Sequence, residues 1–238
     1  MSDFFDLSLA VESLPFVVWG LRYTLLIAVA GMLIGMVLGL FIALARMSRH
    51  RLLSLPARVY ISFMRGTPVL VLLFLLYFGL PSLGIQVSAV WAAIIGFGVN
   101  SAGYIAEIDR GAIRSVPQDQ WDVAASMGMH RGEMLRIVIL PQAIRVAIPP
   151  LSNVMLDLLK ASSLASVITV QEVLLNAKIV AGRTFDSFTM YLTAALVYWS
   201  VSVLFGLLQR YLEHRAGTET FQPGRRRDRL ATRGVRQY

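Results

Sequence analysis

No cysteine occurs in the 238 residues, which excludes disulfides and thiolate metal sites and leaves the redox compartment unmarked. Lysine is almost missing as well: Lys160 and Lys178 are the only two, and apart from the three histidines every other basic side chain is an arginine. Those histidines, His50, His130 and His214, lack metal-ligand spacing, so no metal centre is expected. There is no Gly-rich run ending in Lys-Ser or Lys-Thr, so the chain cannot cradle ATP phosphates in the P-loop manner. Charged residues make up 15% against 56% hydrophobic ones, a balance that fits a soluble core poorly and a bilayer well. The formal net charge is +8, yet the arginines cluster between apolar runs and form no basic face, so nucleic acid is not an expected partner. Asp3, Asp6 and Glu12 precede the first basic residue, Arg22. That is the reverse of a secretory signal's charged start, and the first apolar run is expected to stay as a span.

A hydrocarbon core about 30 Å thick is crossed by roughly 20 mostly apolar residues in a helix. Five runs come near that length, at 17–44, 59–80, 87–106, 139–159 and 189–208. They predict an all-α integral membrane protein with five transmembrane helices. Residues 1–16 form an extracytoplasmic segment, 17–212 the transmembrane domain and 213–238 a basic tail. Arg65 and Pro68 interrupt the second run, and Pro149, Pro150 and Asp157 the fourth, so both are expected to be broken at depth. Arg46, Arg49, Arg51, Arg58 and Arg65 follow the first run, Arg110, Arg114, Arg131, Arg136 and Arg145 the third, and the arginines from Arg210 to Arg236 the fifth; between the fourth and the fifth there are Lys160 at the fourth run's end, Lys178 and Arg183. That asymmetry places the N-terminus outside and the C-terminus in the cytoplasm. The tail's arginines, Arg225 to Arg236, are expected to touch anionic membrane lipid. Gly31, Gly35 and Gly39 recur every fourth residue, a spacing that lets a second helix backbone come close.

The loop 113–141 reads IRSVPQDQWDVAASMGMHRGEMLRIVILP and is far longer than a minimal connector. Pro117 suits a helix start, and Asp122 places negative charge near the positive helix end. Ala124, Ala125 and Gly128 offer a small-residue surface, and Gly128 and Gly132 can end or turn the segment. Such a helix either enters another protein's groove or rests on the membrane surface; spacing alone does not choose.

Asp122 to Gly128, followed by Ile139-Leu140-Pro141, resembles the EAA loop of bacterial ABC importer permeases. Arg65-Gly66-Thr67-Pro68, Tyr77-Phe78-Gly79-Leu80-Pro81, Tyr104-Ile105-Ala106-Glu107, Leu140-Pro141-Gln142-Ala143 and Pro149-Pro150-Leu151-Ser152-Asn153 resemble the polar amino-acid permeases among them. The resemblance implies a type I (MetI-like) importer permease fold in the bacterial inner membrane. It implies ABC ATPase subunits docked at Asp122, Ala124, Ala125, Gly128 and Pro141, a second permease subunit, identical or homologous, and an extracytoplasmic substrate-binding protein. No cofactor and no enzyme activity are implied for this chain, ATP and Mg being used by the ATPase. Thr184, Phe188-Thr189-Met190-Tyr191-Leu192 and Tyr198-Trp199 are most similar to L-cystine permeases, with glutamine, glutamate and histidine as other cargoes. Ala161 stands where the family pattern has an Asp, which argues against a cationic cargo. The competing class is an ATP-independent secondary transporter or channel; the long docking loop and the lack of an inverted repeat count against it.

Polar groups at membrane depth are costly, so each is a candidate for the substrate pathway. Those groups are Asn100, Asn153, Asp157, Lys160, Ser162 and Ser163, with Arg65 and Thr67 either lining the same route or sitting at the cytoplasmic interface. Asn153, Asp157 and Lys160 share one helix face, where Lys160 suits a carboxylate and Asp157 an ammonium. The same two side chains are also spaced to pair with each other.

Overall fold

A computed structural model describes residues 5–215, with side chains as far as Tyr211. The expected lipid contacts of the basic tail, and His214, lie outside the described side chains. The described residues are helical: α1 (Leu7–Trp19), α2 (Leu21–Met47), α3 (Arg51–Gly66), α4 (Val69–Phe74), α5 (Ala89–Ser115), α6 (Gln118–Ser126), α7 (Arg131–Glu133), α8 (Leu140–Ala161), α9 (Val173–Thr184) and α10 (Ser187–Arg215). Four helical stretches are long and apolar enough to cross a membrane: Leu7–Met47, Ala89–Ser115, Arg131–Ile168 and Ser187–Tyr211. A fifth forms if Arg51–Gly66 and Val69–Leu83, which meet at 101°, count as one bent span.

That bend answers the expectation for the second run, and its cause is local. Pro68 has no N–H and forces Thr67 into extended backbone (φ −104°, ψ 130°), which ends α3. Two bonds from α5 hold the broken end. Asn100 Nδ2 donates to the Met64 carbonyl at 2.8 Å, and the Tyr60 hydroxyl donates to the Val99 carbonyl at 2.6 Å. The fourth run differs from expectation, because α8 continues through Pro149 and Pro150 without a break. Ser152 Oγ donates to the Ile148 carbonyl at 2.9 Å just beyond the prolines. The expected boundary at residue 16 falls inside α1, which starts on the Asp6 side chain accepting from the Leu9 N–H at 3.0 Å.

The centre of the molecule is the α2–α5 pair. Gly31, Gly35 and Gly39 are all buried on α2 and lie against Phe97, Ser101 and Ile105 of α5, so the four-residue spacing works as close packing. α5 returns the favour at Gly98, where a Cβ would stand 2.7 Å from Ile34 Cγ2.

A second knot ties α1, α9 and α10 together. Glu172 is fully buried, accepts from the Leu175 N–H at 2.9 Å to cap α9, and accepts from the Tyr198 hydroxyl. Asn176 Nδ2 donates to the Phe16 carbonyl at 2.8 Å. Glu172 lies in the connection between two spans, and burial pushes its pKa above the ordinary 4.5. A raised folded-state pKa means the folded protein holds this proton more tightly than the unfolded chain does. Its contribution is fully present below pH 4.5 and is lost as pH rises through the folded-state value. Glu172→Gln is therefore expected to flatten the fall in melting temperature as pH rises above 4.5. Thermal unfolding of both proteins across that range in one detergent is the check, and parallel curves would contradict it.

Candidate functional site

The loop 113–141 folds into α6, α7 and a π-helical turn, Met134–Ile139, that feeds α8. Pro117 stands at the N-cap of α6 and Asp119 supplies the acidic residue of the first turn. Asp122 lies mid-helix, away from the positive end, where its carboxylate accepts from Gln118 Nε2 at 3.0 Å. The C-terminus closes as a Schellman motif. Gly128 N–H donates to the Ala125 carbonyl at 3.0 Å, and Met129 N–H donates to that of Ala124 at 3.3 Å. Gly128 takes φ +77°, a left-handed value that a side chain would resist. Gly132 does not end the segment but sits inside α7, whose start is capped by His130 and Glu133.

One side of α6 is anchored to its own chain. Ala124 is 2% exposed, and Trp121 packs on the cluster of Ile113, Ile139 and Ala143. Gln142 Nε2 reaches the Gln120 Oε1 at 3.2 Å, joining the start of α8, where Pro141 occupies the first turn, to α6. The small-residue surface expected of Ala124, Ala125 and Gly128 is thus divided: Ala124 faces inward while Ala125 and Gly128 stay exposed. Two apolar side chains missed by sequence reasoning complete the outer face. Val123 and Met127, four residues apart, are 60% and 76% exposed. Large apolar groups left in water on a helix that already has a packed side mark a contact surface. The signal was their i, i+4 spacing beside a polar Asp122. Between α6 and the end of α2 lies a cavity of about 630 Å³, lined by Met47, Trp121, Asp122, Ala125 and Arg131.

An ion network braces this end of the bundle. Glu107 meets Arg110 at 2.6 Å with a hydrogen bond, and Arg46 of α2 at 3.1 Å as an ion pair without hydrogen-bond geometry. Glu107→Gln leaves two guanidinium groups facing each other without their shared carboxylate. Loss of about 1–3 kcal/mol is expected, since hydrogen bonds to charged groups contribute that much. A melting temperature equal to that of the unchanged protein would refute a bracing role.

The pathway candidates separate into three groups. Asn153, Asp157 and Lys160 are exposed along one face of α8, and Lys160 Nζ pairs with Asp157 Oδ1 at 3.1 Å. Asp157 also lines a cavity of about 290 Å³ with Asn100, Ser101, Tyr104 and Ala161. Arg65 rests over the Tyr104 ring at 5.6 Å, and Thr67 caps α3 beside it. Ser162 is fully buried and its hydroxyl donates to the Leu159 carbonyl at 2.7 Å; Ser163 donates to that of Lys160 at 2.8 Å. Both hydroxyls are thereby satisfied by their own turn. Tyr104 was missed; it sits one helical turn beyond Asn100, which is the pattern that would have found it.

The molecule thus combines a bent span, a close glycine-packed pair and an anchored helix between two spans. The family model of the binding-protein-dependent transport system inner membrane component matches residues 35–218. The chain belongs to that family. It is 56% identical over 211 residues to the probable amino-acid ABC transporter permease protein YckA of Bacillus subtilis, covering 89% of this chain and 93% of that one. The L-cystine transport system permease protein TcyB of the same organism is 40% identical over 202 residues, 84% of this chain and 86% of that one. A crystal structure of an amino acid ABC transporter with histidines superposes with a TM-score of 0.83 at 37% identity, covering 90% of this chain and 99% of that one. This permease is therefore an inner-membrane subunit of an ABC importer for amino acids, without an ATPase site of its own. Membership implies ATPase subunits and binding proteins as its partners.

Proposed function

We propose that this permease carries a polar amino acid without net charge, of the L-cystine class, through a path between two permease subunits. The observation that carries the reading is the stripe Asn153, Asp157 and Lys160, whose two opposite charges suit the ammonium and carboxylate of one zwitterion and leave no surplus charge for a cationic cargo. Asn100 and Asp157 face the same cavity, and the likeness to TcyB supports the cargo class. Arg65 and Thr67 flank this route from the end of α3. Ser162 and Ser163 shape the turn that follows α8 and do not touch cargo.

The N-terminal segment lies outside the bacterial inner membrane, and loop 113–141 and tail 213–238 lie in the cytoplasm. The partner ATPase uses ATP and Mg; this chain holds neither. Asp122, Ala125 and Gly128 meet the ATPase, while Ala124 and Pro141 hold α6 in place. An extracytoplasmic binding protein hands over the amino acid.

Uptake of labelled cystine, glutamine, glutamate, histidine and arginine by proteoliposomes holding the whole importer tests the proposal. Cystine is expected to enter and to compete best, with vanadate stopping it, and Asp157→Asn is expected to slow it at least about ten-fold by removing one charge contact. Arginine entering in preference to cystine overturns the cargo. Vanadate-insensitive uptake overturns the coupling.

A further inference from the structure

Arg22 is exposed on α2 among lipid-type neighbours, Leu25, Leu26 and Val29, each 42–47% exposed. Among the described residues no carboxylate pairs with it. Its guanidinium instead lies against two aromatic rings, 4.3 Å from the Trp19 centroid and 4.7 Å from that of Tyr23. The rings hold the cation in place and leave its N–H donors free to bind an anion. An arginine fixed on a lipid-facing helix beside a tryptophan and a tyrosine has the composition of a membrane-interface anchor.

A groove has two of its lining residues, Val18 and Leu21, next to this cluster in the chain. It has a volume of about 500 Å³ and lies between α1 and α10, lined on α1 and α2 by Leu7, Val11, Leu14, Val18 and Leu21. From α10 it receives Leu196, Leu204 and the hydroxyl residues Thr193 and Ser200. Both hydroxyls already donate to carbonyls of their own helix, Thr189 and Leu196, at 2.8 Å. The wall therefore asks for no polar ligand. Leu21, the groove residue at the start of α2, is the chain neighbour of Arg22, which puts the cation next to the end of the groove's wall.

We propose that the Trp19–Arg22–Tyr23 cluster and the α1–α10 groove form one binding site for an anionic phospholipid, the phosphate on Arg22 and an acyl chain along the groove. Charge complementarity selects this occupant over a neutral lipid: an unpaired guanidinium beside an apolar slot matches a molecule with a phosphate head and a hydrocarbon tail. On the orientation proposed above the lipid belongs to the outer leaflet. The inference is independent of the cargo.

Native mass spectrometry of the full chain, released from micelles holding equal phosphatidylglycerol and phosphatidylcholine, is the test. The unchanged protein is expected to retain phosphatidylglycerol about five-fold over phosphatidylcholine, the selectivity that one basic side chain near a membrane surface supplies. Arg22→Gln is expected to erase that preference, and Arg22→Lys to keep most of it. Ser200→Phe, which fills the groove without removing a tertiary partner, is expected to lower retention of both lipids. An undiminished preference in Arg22→Gln overturns the site, as does displacement of the lipid by inorganic phosphate alone, which would make it an anion site without a groove. Thermal unfolding in phosphatidylcholine alone shows that the variants fold; if Arg22→Gln does not, loss of the preference in Trp19→Ala decides the same point.

Discussion

Met127→Lys is expected to disconnect the permease from its ATPase while leaving the permease folded. Met127 is 76% exposed at the end of α6, so its replacement opens no cavity and strains no neighbour. A lysine there is also favoured by the negative end of the helix, and α6 itself should persist. The effect belongs to the contact. A central apolar side chain on a docking surface contributes about 2 kcal/mol or more, which corresponds to roughly 30-fold in affinity. An ammonium buried in its place adds a desolvation penalty. Titrating the ATPase subunit against the permease in lipid nanodiscs should show that loss, and ATP-driven uptake should fall with it. Ser126→Lys, one position away and exposed, is the control. Equal losses in both would mean that charge anywhere on α6 is harmful and that the Val123–Met127 face has no special part.

Gly39→Leu is expected to destabilise the fold more than any other single change considered for this protein. A Cβ at that position would lie 2.7 Å from Ile105 Cγ2, 2.9 Å from Ile105 Cβ and 3.2 Å from the Ala106 backbone nitrogen. Two of those atoms belong to a β-branched side chain with little rotamer freedom and the third to a helix backbone, so nothing nearby can yield. Overpacking of this kind costs about 1–3 kcal/mol, and occasionally more, a large share of a total stability of about 5–15 kcal/mol. The α2–α5 contact is the centre of the bundle, and its loss should show as aggregation on detergent extraction. Ile105→Ala in the same chain should restore part of the yield by making room. Gly206→Ala on α10 meets open space and should raise stability by up to about 1 kcal/mol, because alanine is the better helix former. Normal extraction and melting of Gly39→Leu would show that the two helices are not in close contact.

The spans, the break at Pro68 and the long helical loop 113–141 were legible along the chain because each depends on neighbours in sequence. Pro68 ends α3 whatever it packs against, since it constrains Thr67 directly. Gly31, Gly35 and Gly39 line one face because four residues make about one helical turn. Gly128 closes α6 because only a residue without a Cβ takes φ +77° cheaply. The arginine distribution is likewise a property of order along the chain.

Which way a side chain faces was another matter. Asn100 lines the cavity beside Asp157, and its amide nitrogen also donates to the carbonyl of Met64, 36 positions away, a contact that spacing could not show. Ser162 read as a pathway residue and is turned wholly inward. Pro149 and Pro150 read as a break, and α8 runs through them. On α6, Ala124 and Ala125 are adjacent and alike, and only the packing of Trp121 and Ala124 onto the Ile113 and Ile139 cluster turns one inward and the other out. Helix propensity and spacing set the element and its period, whereas the azimuth at which a helix settles is decided by contacts with residues far away in the chain. The sequence by itself determined the membrane class, the break at Pro68 and the position of the long loop 113–141. Only the tertiary structure decided that Val123 and Met127 form the loop's outer face, because a surface is defined by what the rest of the protein leaves uncovered.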